Sequence, residues 1–78
     1  MNKTEKPPTM LSHGSLPYPR GTLVEDTASG LTGELQGVIE ERLKETGRVI
    51  NRQAFVRPRG DGIEWDAPLK RIRRVEND

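Results

Sequence analysis

Apolar and polar residues alternate over short stretches of this chain, and clusters of glycine, proline and small polar residues interrupt the alternation. That pattern predicts strands joined by tight turns. Residues 22–27 (TLVEDT) are rich in β-formers and are closed by Ala28-Ser29-Gly30, which predicts a short first strand ended by a turn. The next segment, LTGELQGVIEERLKETG, supports two periods. At period two, Leu31, Gly33, Leu35, Gly37 and Ile39 share one face, as in a half-buried strand. At period 3.6, Leu35, Val38, Ile39 and Leu43 form a stripe that Thr32 could cap, with Glu40 and Lys44 spaced as an ion pair and Gly47 as a stop. Gly33 and Gly37 would each weaken a helix by about 0.8–1.0 kcal/mol relative to alanine.

Further on, RPRGDGIEWD (residues 57–66) reads as a hairpin turn flanked by extended arms, one of which carries the single tryptophan, Trp65. With the loop at Arg59 to Gly62, Val56 faces Trp65 and Ala54 faces Ala67 on the core side, and Phe55 points outward. A slip of one residue would instead pair Phe55 with Trp65 and bury both.

Upstream of Gly21 the pattern is lost. Residues 1–20 hold four of the six prolines (Pro7, Pro8, Pro17 and Pro19) among Ser, Thr, Gly and Lys, and Met10 could serve as an alternative start. Such a stretch buries too little apolar surface to offset its ordering entropy, so a flexible tail is expected. Within it, Leu16-Pro-Tyr-Pro is either solvated leader or a short extended ligand for a partner's groove.

Length and composition narrow the function classes. Seventy-eight residues make one small domain with a small core. With no cysteine there is no disulfide framework, thiolate metal site or thiol nucleophile. No apolar run is long enough to span a bilayer or to act as a secretory signal, so a cytoplasmic chain without membrane contact is expected. Charged residues make up 32% of the chain but nearly cancel, to a net +1, so any electrostatic role depends on local clustering.

The combination of GTLVEDTASGLTGELQG with AFVRPRGDGIEWDAP resembles a group of small, mostly uncharacterised actinomycete proteins. The positions that carry the resemblance are Gly21, Val24, Asp26, Gly33, Arg57, Pro58, Gly60, Gly62, Glu64 and Trp65; Asp61 stands where a glycine is usual. The first half is also similar to the opening of PRC-barrel domains. Neither resemblance implies an activity. Both imply a mainly β architecture: a small, strongly bent Src-homology-3-like β-barrel over residues 21–78. Its strands are expected at residues 22–27, 32–42, 48–57, 62–66 and 73–76. Pro68 forces the chain out of the sheet, and Leu69 and Ile72 plug the open end. The alternative is an α+β domain with a helix near residues 34–46.

Catalytic chemistry has little to stand on, and a non-enzymatic chain without cofactor or metal is expected. The lone histidine, His13, falls in the expected tail, where nothing fixes a proton-transfer geometry. The acidic pairs Glu25–Asp26 and Glu64–Asp66 read as surface charges, with Asp26 a turn former. No phosphate-binding glycine loop is present, and Arg59-Gly60-Asp61 is explained by the hairpin turn. Lys70, Arg71, Arg73 and Arg74, with Arg57 and Arg59 nearby, could line a nucleic-acid-binding patch, although a solvated face is the commoner meaning of a charge run. The favoured expectation is a protein-interaction or accessory module with an unidentified partner. It would bind through a rim of Phe55, Arg57, Arg59 and the connection at residues 43–47, with self-pairing through an edge strand as a further option.

Overall fold

The computed structural model describes residues 7–76. Six strands are found: β1 (Thr9–His13), β2 (Leu23–Asp26), β3 (Thr32–Leu43), β4 (Val49–Arg57), β5 (Trp65–Pro68) and β6 (Ile72–Arg74). A 3-10 turn at Leu69–Arg71 separates the last two. No α-helix occurs among the described residues, so the helical alternative for residues 34–46 is set aside.

Long β3 organises the rest. It pairs with β4 along one edge, while its other edge is shared by β2 at residues 32–34 and by β1 at residues 39–43, all antiparallel. The path β5-β4-β3-β2-β6 leaves β5 and β6 at opposite ends. On a flat sheet four strand spacings would put them about 19 Å apart. The three-residue 3-10 turn that joins them reaches only about 6 Å. The sheet must therefore curl until its two ends approach, and the concave face becomes the core. The curl stops short of closure: among the described residues β5 and β6 are not paired, so the expected closed barrel is corrected to an open, curled sheet.

A bulge explains why β3 satisfied two periods at once. Leu35 opposes Val56 and Gly37 opposes Phe55, leaving Gln36 as an extra residue. The bulge shifts the alternation by one, so Leu35 and Val38 are both fully buried although three apart. Their partners complete a small core of Val24, Leu35, Val38, Ala54, Val56, Ala67 and Ile72, with Trp65 and Leu69 packed at its margin. The expected hairpin register holds: Val56 faces Trp65 and Ala54 faces Ala67. Phe55 lies on the other face opposite Gly37 and Asp66, and is half-buried there. β5 starts later than expected, at Trp65. Gly60 (φ +76°) and Gly62 (φ +155°) carry the chain through backbone conformations foreign to a strand, and Ile63 is 86% exposed.

The N-terminal segment departs most from expectation. Residues 9–13, read from sequence as flexible tail, form β1, and Leu16 and Tyr18 of the Leu-Pro-Tyr-Pro motif pack on the chain's own core. The Gly14 amide donates to the Val38 carbonyl (2.9 Å) and the Gly21 amide to the Leu35 carbonyl (2.8 Å), so the loop between β1 and β2 stays fastened to β3. Composition hid this because β1 contributes ladder hydrogen bonds rather than buried side chains. Residues 1–6 of the expected tail lie outside the described residues.

Candidate functional site

Beyond the Glu40–Arg52 pair the three strands β1, β3 and β4 run on without a core. Thr9 to Leu11, Glu41 to Leu43 and Val49 to Asn51 are all exposed or half-buried. This arm begins at a buried carboxylate. Glu40 is 8% exposed and accepts from Arg42 Nη2 (2.7 Å) and Arg52 Nε (3.0 Å). The Arg52 hydrogen bond, with the Arg42 guanidinium beside it, holds the Glu40 carboxyl below its ordinary range against the opposing effect of desolvation. Gly14 provides the space for this side chain, since a Cβ there would stand 2.6 Å from Glu40 Cγ.

One edge of the arm is open. β5 covers β4 only from Gln53 to Val56. Its last residue, Pro68, has no N–H to extend the ladder, and the 3-10 turn then carries the chain toward β6. Among the described residues the backbone of Val49 to Arg52 is therefore paired with β3 on one side only. A groove runs along this edge, walled by Ile50, Arg52, Pro68, Leu69 and Lys70. Ile50, the extra residue of a second bulge, between the Glu41–Asn51 and Arg42–Val49 pairs, is 47% exposed. Met10 and Leu11, 48% and 70% exposed, lie across the arm on β1.

The basic residues expected from the sequence are dispersed and mostly paired. Arg71 is bound to Asp26 through Nε to Oδ1 (3.0 Å) and Nη2 to Oδ2 (2.8 Å). Asp26 is no surface charge: it is 3% exposed and also accepts from the Ala28 amide and the Ser29 hydroxyl, the turn-forming role expected of it. The Arg71 hydrogen bond dominates in driving the Asp26 carboxyl far below its ordinary range, and the Arg71 guanidinium is raised in turn. Arg73 donates to Glu25 (3.1 Å), Arg57 lies 3.9 Å from Glu64, and Arg59 lies 3.4 Å from Glu34. Among the described residues Lys70 and Arg74 have no carboxylate partner. Lys70 is on the open-edge groove, whereas Arg74 is on β6 opposite Val24.

Nor do Phe55, Arg57 and Arg59 meet at the open edge. Phe55 lines a separate depression with His13, Leu16 and Ile39, and Arg57 and Arg59 stand at the far end of the same hairpin. His13 is held on β1 opposite Ile39 rather than in a loose tail. Sequence reading anticipated an edge strand but did not locate it, because its position depends on where β5 stops. The signal available was Pro68, which had marked the chain's exit from the sheet. Among the described residues no group of three or more His, Asp or Glu side chains could hold a metal ion, and no helix is long and apolar enough to cross a membrane. No protein-family model, curated protein or solved structure matches this chain.

Proposed function

We propose that this chain is a non-enzymatic protein-interaction module, an accessory domain that presents the coreless arm, and above all its open β4 edge, to a protein partner. The observation that carries this reading is the one-sided pairing of Val49 to Arg52 beside exposed Ile50. An unpaired strand edge with apolar flanks is a template for another chain. Nucleic-acid binding has less support, because Arg57, Arg59, Arg71 and Arg73 already face carboxylates and the two remaining cations of the expected patch lie on separate surfaces. Phosphate tracking by that patch would need several of its cations uncommitted along one path.

A photo-cross-linking residue at Ile50, with Leu31 in the loop before β3 as the control site, tests the proposal in the native cell. A discrete protein adduct from position 50 and not from position 31 is expected. Absence of a protein adduct at position 50 overturns the reading. Salt-sensitive binding of labelled DNA or RNA that is abolished in R73E/R74E would put nucleic-acid recognition in its place.

A further inference from the structure

We infer that the open edge of β4 takes an acidic, extended peptide segment, added as a further antiparallel or parallel strand along Val49 to Arg52; this rests on the protein-interaction reading above. The groove supplies three elements of such a site. The first is a strand edge whose outward backbone groups have no partner among the described residues, four residues or about 13 Å long. The second is an apolar wall, where Pro68, Leu69 and Ile50 flank the path of the added strand and could receive alternate side chains. The third is charge.

Arg48 and Arg52 bracket the edge and Lys70 stands on the facing wall. Among the described residues Arg48 and Lys70 have no carboxylate partner, and Arg52 meets Glu40 through Nε while its side chain remains 52% exposed. Among the described residues no carboxylate lines the groove, and Glu40, the nearest buried one, is held by two arginines. The uncommitted charge along the groove is thus positive, which favours an acidic segment and disfavours a basic one.

The same charge opposes the other obvious occupant, a second copy. Antiparallel β4–β4 pairing centred on Ile50 and Asn51 would bring Arg48, Arg52 and Lys70 of both copies to one seam, where like charges oppose each other. Edge cations are familiar guards against self-association, and they leave recognition of an acidic strand open.

The test is an NMR titration of the full chain with three blocked peptides: alternating Glu-Val, alternating Lys-Val, and the Glu-Val peptide with alternate valines replaced by proline. The expected result is amide shifts concentrated at residues 49–52 and 69–70 with the acidic peptide alone, and slowed hydrogen exchange at residues 49–52. Lys70→Glu, an exposed change that leaves the core untouched, should weaken acidic-peptide binding about fivefold. Equal binding of the proline peptide would overturn strand addition, and equal binding of the Lys-Val peptide would overturn the charge selection. Concentration-dependent broadening at residues 49–52 without peptide would assign the edge to a second copy instead. No binding by any peptide, together with a protein adduct at position 50, overturns this inference and leaves the broader reading standing.

Discussion

Gly33 and Gly37 sit four residues apart on β3 and are there for different reasons. A Cβ at Gly33 would stand 2.6 Å from the Arg57 carbonyl oxygen and 2.8 Å from Val56 Cγ1, so the close approach of β3 to β4 requires glycine. At Gly37 a Cβ meets nothing within 4 Å, and its φ is negative. Gly33→Ala should therefore lower stability by about 1–3 kcal/mol through overpacking. Gly37→Ala should raise it by about 0.4–1 kcal/mol through reduced freedom of the unfolded chain. Paired urea melts distinguish the two, and loss of stability in both would contradict the packing described. Asp26 and Glu40 set the acid response. Both carboxyls titrate lower in the folded chain than in the unfolded one, so their contribution is present above the ordinary carboxylate range and is lost as pH falls toward their folded values. Thermal scans should show stability falling below about pH 4.5. Asp26→Asn should be less stable at neutral pH but decline less steeply in acid; an unchanged acid slope would remove Asp26 from this role.

The bulges determine what each strand presents. If Gln36 were paired in register instead of bulged, strict alternation would put Leu35 and Val38 on opposite faces, exposing a side chain whose burial is worth about 1.5–3 kcal/mol. That is a large share of the few kcal/mol expected to hold a chain of this size. Deleting Gln36 leaves Leu35 and Val38 two apart on one face, so the deletion variant should keep its cooperative urea transition, as should Gln36→Ala; its loss in the deletion variant would contradict the bulge. This element also shows how much of the fold was legible in the sequence. Strands at residues 22–27, 32–42 and 48–57 lie within a residue or so of β2, β3 and β4, because each carries its own β-rich signature. The Val56–Trp65 register was legible because the turn residues fix the loop. The bulge was not, since its evidence is that both periods fit the same segment. β1 was hidden because Met10 and Leu11 are exposed and leave no burial pattern to read. For the candidate site, the individual cations were visible but their partners were not: Arg71 and Asp26 are 45 residues apart, and only the curl brings them together.

At the scale of the whole molecule, stability is unevenly distributed. The buried apolar residues gather at one end, while the arm depends on ladder hydrogen bonds, the Glu40 clamp and a bond from Thr9 Oγ1 to Glu41 Oε2 (2.8 Å). Native-state hydrogen exchange should therefore show amides at residues 10–12 and 49–51 opening locally, well below the free energy needed to expose Val38 or Val56. Glu40→Gln should accelerate exchange in the arm more than in the core. A uniform change across both would mean that they open as one unit. The connection between the sheet's ends bears on the order of assembly. The β3–β4 hairpin joins residues close in sequence, but β6 must find β2 across more than forty residues, as in the Asp26–Ile72 pair. Closing so long a loop is entropically slow relative to forming a hairpin. The folding transition state should then contain the central hairpin with β6 still undocked: substitutions at Val38 should change the folding rate, and Ile72→Val chiefly the unfolding rate. The clamp between Arg71 and Asp26 would thus act late, slowing escape from the finished structure without speeding the way in.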